Sequence, residues 1–176
     1  MRKILRYKWL LLAILVLLVL FGSSSMTYKQ QTSVPFLERV LANQPYADLV
    51  ARIHINYGQG EIIGMPQDTY FQVLEFIVRK IAHFSTYFLL GWFLTSGLRK
   101  HVQPAWLRLP LVPLTVGGFA ALDELHQMFT GDRTPMVQDV VLDMCGALTA
   151  TVIVLLVEWL WAKHRRKQSA VDVQQA

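Results

Sequence analysis

Four apolar runs, each separated from the next by polar or basic residues, dominate the pattern of this chain. The first, Trp9 to Phe21, contains no polar break; the others extend from about Ile77 to Leu98, from Ala105 to Leu122 and from Val137 to Trp161. Crossing a bilayer takes about 20 apolar residues in a helix, because only internally satisfied backbones survive there. The pattern predicts an all-α, polytopic membrane protein, a four-transmembrane-helix bundle. The first run is short and Ser23-Ser24-Ser25 follows it, so a cleaved signal peptide competes with an uncleaved anchor. The anchor is the reading adopted, with residues 1–22 as a signal-anchor helix.

Residues 23–76 break the pattern. Pro35, Pro45, Gly58, Gly60, Gly64 and Pro66 punctuate them, and acids and bases nearly balance. Little regular structure is expected beyond two amphipathic pieces, VPFLERVLANQ and YADLVARIHI, in which apolar residues recur at helical spacing. Such pieces suit a membrane surface. Asp68 is placed to cap a helix starting at Thr69.

Composition agrees with a membrane setting: 53% of residues are hydrophobic, 16% are charged and the mean hydropathy is positive. The net charge of +5 raises a nucleic-acid partner, but the bases gather beside the apolar runs and form no interleaved stripe. They are better explained as membrane flanks. Arg2, Lys3, Arg6 and Lys8 precede the first run; Arg99, Lys100, His101 and Arg108 make the second connection basic; Lys163 to Lys167 follow the fourth run. The positive-inside rule then puts both termini in the cytoplasm and residues 23–76 outside it. The expected location is the inner (cytoplasmic) membrane, with a basic cytoplasmic tail, residues 163–176, unstructured from Gln168. Cys145 is the only cysteine, which excludes an intrachain disulfide and a cysteine zinc site; inside an apolar run it reads as packing.

Polar residues interrupt the runs at one end. Lys80, His83, Phe84, Tyr87 and Gly91 recur at spacings of three and four and so share a helical face. About 1.5 Å of rise per residue brings Asp123 roughly 27 Å from Ala105, near the far side of a ~30 Å hydrocarbon layer. Glu124 and Gln127 lie beside it, then Arg133 in a turn, then Asp139 and Asp143, four apart on one face. Ionisable residues at that depth are costly and mark functional sites unless they pair. Lys80, His83 and Arg133 are the cations available to the acids. A purely structural network that fixes helix register accounts for the same residues. His126, two residues from Glu124, falls on another face and no HExxH spacing exists, so neither a metal nor a cofactor is expected. Ser85 and Thr86 are read as backbone-bonding hydroxyls.

The stretches KIAHFSTYFLLG, residues 80–91, and DELHQMFTGDRTPMVQDVVLDMCG, residues 123–146, resemble the VanZ-like membrane proteins, the family of a teicoplanin-resistance accessory protein. Lys80, His83, Phe84, Tyr87 and Gly91 match the first part of that pattern. Asp123, Glu124, Gln127, Phe129, Arg133, Asp139 and Gly146 match the second. Asp143 departs from it, standing where the pattern usually has Asn. SSSMTYKQQ, residues 23–31, is a weaker likeness, and residues 32–77 are not covered.

The resemblance implies a bacterial four-helix membrane protein tied to the cell envelope and to glycopeptide response, with residues 77–162 as its core of three spans. It implies no particular reaction. His83, Asp123, Glu124 and Asp139 are the candidate acids and bases; Lys80, Tyr87, Gln127, Arg133 and Asp143 are the candidate ligand-orienting residues. Two readings follow. One is an enzyme acting on an envelope lipid or glycan at the outer leaflet. The other is a non-catalytic binder of an envelope component or a glycopeptide antibiotic.

Overall fold

The computed structural model describes residues 7–57, 62–64, 68–130 and 135–174. It is mostly helical: α1 (Lys8–Ser24), α2 (Tyr28–Gln31), α3 (Val34–Val40), α4 (Ala47–Val50), α5 (Tyr70–Gly97), α6 (Arg108–Thr130) and α7 (Val137–Gln174). Between α4 and α5, β1 (His54–Asn56) pairs antiparallel with β2 (Ile62–Gly64), His54 opposite Gly64. Thr69 starts α5 with a capping box, its side chain taking the Gln72 N–H while Gln72 returns to the Thr69 N–H. That arrangement satisfies two of the helix's free donors.

Helices α5, α6 and α7 pack on one another, and α1 lies on α5 and α6. Close approach is built into the sequence. A methyl group on Gly91 would meet the Ala147 Cα at 2.6 Å, and one on Gly146 would meet the Phe84 carbonyl at 2.6 Å. Small residues that let backbones touch are the main device by which helices associate without a hydrophobic driving force. Ala13, Tyr87, Leu90, Val116 and Ala120 fill the centre. Trp9 stacks on Phe93 and Gly97 lies against Leu10, whereas Ser24 reaches His126. Thus α1 runs antiparallel to α5, and the bundle has a Ser24–His126 end and a Trp9–Gly97 end.

Outward faces are apolar. Leu11, Ile14 and Leu18 on α1, Leu114 and Leu122 on α6, and Val152 and Leu156 on α7 are all exposed. Water would not tolerate so broad an apolar surface; a bilayer would. Two segments, Ala105–Phe129 and Val137–Arg166, are long and apolar enough to cross a membrane. The pair Lys8–Ser24 and Tyr28–Val40, bent by 119°, passes only when taken together. Helix α1 has 17 residues, and α5 has the length but carries too many polar groups.

At the Trp9–Gly97 end, Arg108 is fully buried. Its guanidinium donates to both Glu158 oxygens, at 2.6 and 3.2 Å, and to the Thr95 carbonyl at 2.9 Å. Thr95 and Thr151 share a buried hydrogen bond of 2.9 Å beside it. Arg108, expected in a basic loop, is the first residue of α6, and the acid that retains it there is fifty residues away.

Other local expectations are corrected. The small β-sheet means the fold is not purely α. YADLVARIHI is helical only over Ala47–Val50, and His54 belongs to β1. Asp68 does not cap α5; it accepts the Gly64 N–H at 3.1 Å, leaving Thr69 as the cap. Helix α5 starts seven residues before the apolar run, and α7 continues through the polar tail to Gln174. Cys145 is exposed on α7 and not buried in the packing.

Candidate functional site

The polar groups meet at the Ser24–His126 end, where α5 leaves residues 70–76 and α7 begins. Helical spacing puts Lys80, His83 and Tyr87 on the α5 face toward α7, as the pattern predicts. Lys80 Nζ lies 2.5 Å from Asp139 Oδ1. The Tyr57 hydroxyl donates to the same oxygen at 2.5 Å, and the Lys80 ammonium sits over the Tyr57 and Phe76 rings at 4.2 and 5.0 Å. Burial first, and Asp139 second, push the pKa of the Tyr57 hydroxyl up, so it remains a donor. The strand-bearing segment is thereby fastened to the bundle through one carboxylate and one ammonium.

One turn along, His83 Nδ1 is buried and faces Asp143 Oδ1 at 3.7 Å, too long for a hydrogen bond. Asp143 is 1% exposed, and neither atom has a hydrogen-bond partner. The Tyr87 hydroxyl, also buried without a partner, lies in the field of Asp123, Asp143 and Glu124. Buried polar atoms are nearly always satisfied. Three such atoms around one histidine mark a place where structure alone does not account for the residues present.

Glu124 and Gln127 are buried on α6. Glu124 Oε2 accepts the Met136 N–H at 2.9 Å, holding the approach to α7, and Gln127 Nε2 donates to Asp123 Oδ2 at 2.8 Å. His126 is not metal-directed: it shares a 2.8 Å bond with Ser24 and stacks on Phe21 with ring centres 5.0 Å apart. Among the described residues no group of histidine, cysteine and acidic side chains is arranged to hold a metal ion. Thr86 donates to the Ala82 carbonyl, the backbone-bonding role expected of it. Arg133 lies outside the described residues.

A cavity of about 300 Å³ opens here, and His83, Asp123 and Gln127 line it together. Its other wall comes from residues 23–31, including Ser23, Gln30 and Gln31. Glu75 holds that wall in place. Its Oε2 accepts from the Tyr28 hydroxyl at 2.8 Å; its Oε1 accepts from the Thr32 hydroxyl at 2.8 Å and the Ser33 N–H at 2.5 Å. Burial would raise the Glu75 carboxyl pKa, but the bonds from Ser33, Thr32 and Tyr28 and the Arg79 charge outweigh it and hold the group below its ordinary value.

In sequence alone nothing distinguishes Arg79 from a membrane-flanking base at the start of a span. Arg79 lines the cavity, with its guanidinium 5.2 Å over the Tyr28 ring. A second cavity, about 340 Å³ and almost wholly apolar, lies between α1 and α6 and shares Leu20 and Asp123 with the first. Tyr87 lines this second cavity. Lys80 and Asp139 belong to neither, nor does Glu124. The structure therefore brings His83, Asp123 and Gln127 to one space, places Tyr87 next door, and spends Lys80, Asp139 and Glu124 on joining elements.

A family model described as VanZ/LLP1 matches residues 9–158, including the stretch 32–77 that the motifs alone leave uncovered. No curated protein and no solved structure matches the chain.

Proposed function

Because the chain belongs to the VanZ/LLP1 family, we propose that it is a four-span membrane protein with a polar acid–base site acting on the headgroup of an envelope lipid or lipid-linked glycan. The spans are α1, residues 77–98, Ala105–Phe129 and Val137–Arg166. The flanking bases, Lys8, Arg99, Lys100 and the Lys163 to Arg166 cluster, support cytoplasmic ends for the Trp9–Gly97 side. The Ser24–His126 end then faces the outer leaflet of the inner membrane.

His83 carries the reading: it lines a cavity while a buried carboxylate, Asp143, stands behind its ring. An imidazole oriented from behind and open in front suits general acid–base work, and such contacts are often long before substrate binds. His83 takes the proton from a water that attacks the headgroup, the bond to the leaving oxygen breaks as the new bond forms, and His83 returns that proton to the leaving oxygen, with Asp123 in the same cavity. Lys80, Glu124 and Asp139 hold the elements that bound the site.

The test is turnover. Purified protein in lipid nanodiscs, given a panel of lipid-linked glycans and lipid phosphates, releases a product detected by mass spectrometry, and His83→Ala abolishes it. Folded wild type inert across the panel refutes the reaction. One observation favours a non-catalytic binder instead: Glu124, Asp139 and Asp123, three of the four candidate acids and bases, are already engaged by Met136, by Lys80 with Tyr57, and by Gln127. Saturable binding without product is the signature of that alternative, whether of an envelope component or a glycopeptide antibiotic.

A further inference from the structure

The two cavities that share Leu20 and Asp123 differ in character. The first holds amides, hydroxyls, His83 and Arg79; the second is walled by Leu17, Phe21, Phe119 and Leu122. Arg79 acts on Glu75 through its field but forms no ion pair with a described carboxylate, and it is partly exposed. A guanidinium set among hydrogen-bonding groups suits a phosphate, which it can meet with two parallel bonds. The apolar space adjoins this cavity through Leu20 and Asp123 and lies on the side where Leu18, Leu122 and Leu125 are exposed. Polar and apolar subsites in continuity fit an amphiphile and neither a free anion nor a plain hydrocarbon.

We infer that the pair of cavities is one binding site for an anionic phospholipid or lipid phosphate, with its phosphate at Arg79 and one acyl chain between α1 and α6. This deepens the acid–base reading, since it puts the headgroup within the cavity that His83 lines. The groove supplies apolar burial to the acyl chain. In a bilayer that gain largely cancels, because the chain leaves other hydrocarbon. Selectivity therefore rests on Arg79, and the groove sets where the chain goes.

The experiment uses full-length protein in phosphatidylcholine nanodiscs doped with a phosphatidylglycerol whose acyl chain carries a photoactivatable diazirine. Crosslinks mapped by mass spectrometry are expected on Leu17, Phe119 and Leu122. Arg79→Gln should lower them about tenfold, whereas the same chain on phosphatidylcholine labels weakly in wild type and is indifferent to that change. Leu122→Trp, which fills the groove, should move the label elsewhere while phosphatidylglycerol retention falls less than in Arg79→Gln. Excess inorganic phosphate that fails to compete shows that the chain is required; competition at low concentration would overturn the lipid assignment in favour of a free anion. Labelling spread evenly over the outer faces of α1, α6 and α7, or equal for both headgroups, would also overturn it. Groove labelling without turnover sustains this site and refutes only the reaction; turnover with even labelling does the reverse.

Discussion

Replacing Glu75 tests how the cavity wall is held. The residue is 2% exposed, and its carboxylate collects the Tyr28 and Thr32 hydroxyls and the Ser33 amide. Bonds to an ionised acceptor are worth about 1.5–3 kcal/mol each and neutral ones about 1 kcal/mol. In Glu75→Gln one oxygen still accepts from Thr32 and Ser33, without charge, and the contact to Tyr28 must reverse. The loss is about 2 kcal/mol, a roughly 30-fold rise in the open population of residues 23–33. Glu75→Ala strands all the donors and costs about 4 kcal/mol, roughly a thousandfold. Hydrogen exchange in nanodiscs reads this directly at the Ser33 amide. The sign with pH follows from a folded carboxyl pKa below its ordinary 4.5. Protection is complete above the unfolded value and disappears as pH falls through the lower folded value. Wild type should therefore keep residues 23–33 closed from pH 7 to below 4.5, while Glu75→Gln shows no such transition. Exchange within threefold of wild type in both variants, or a wild-type transition above 4.5, would refute the latch.

Three further outcomes are expected. Asp143→Asn should raise thermal stability in detergent by about 1 kcal/mol, because a buried carboxyl group, 1% exposed and with no hydrogen bond at Oδ1, is replaced by a neutral amide; a loss of that size would show the His83 contact to be net stabilising. Arg108→Ala should cost about 3 kcal/mol, the low end for a broken buried pair because Glu158 keeps Arg99 Nε at 3.5 Å, and Arg108→Met with Glu158→Met should recover most of it, as followed by thermal shift in a double-mutant cycle. Gly91→Leu should lower the folded yield on size-exclusion chromatography, since even a methyl would strike Ala147, whereas Gly118→Leu, with open space around it, should not.

Apolar runs made α6 and α7 legible, because length and hydropathy are properties of the run itself. Helix α5 was legible as a helix by the Lys80, His83, Tyr87 and Gly91 spacing, and that spacing put Lys80, His83 and Gly91 on one face against α7. The pairings were not legible. Asp139 had three plausible cations, and its partners were settled by the packing of α5 on α7 and by Tyr57, from a segment without strong periodicity. Nothing local told His54 from a helical residue, since YADLVARIHI keeps helical spacing past the point where pairing with Ile62 to Gly64 takes over. Arg108 and Arg79 failed for the same reason: a base at the edge of an apolar run looks like a flank whether or not a partner or cavity waits for it. Leu20 and Asp123 bordering two cavities is a fact of how α1 leans on α6, and a one-dimensional pattern carries no such information.

The Arg108–Glu158 pair also sets a timetable for biosynthesis. The two residues are fifty positions apart, so at about 5–20 residues per second the ribosome makes Glu158 roughly 3 to 10 s after Arg108. Until then the carboxylate that holds this guanidinium in the folded protein has not been made, and Arg108 has only the Thr95 carbonyl of its final partners. Helix α7 is thus the one that locks helices made before it, and chains arrested before Glu158 would be recognisable to quality control by a charge whose partner has not been made.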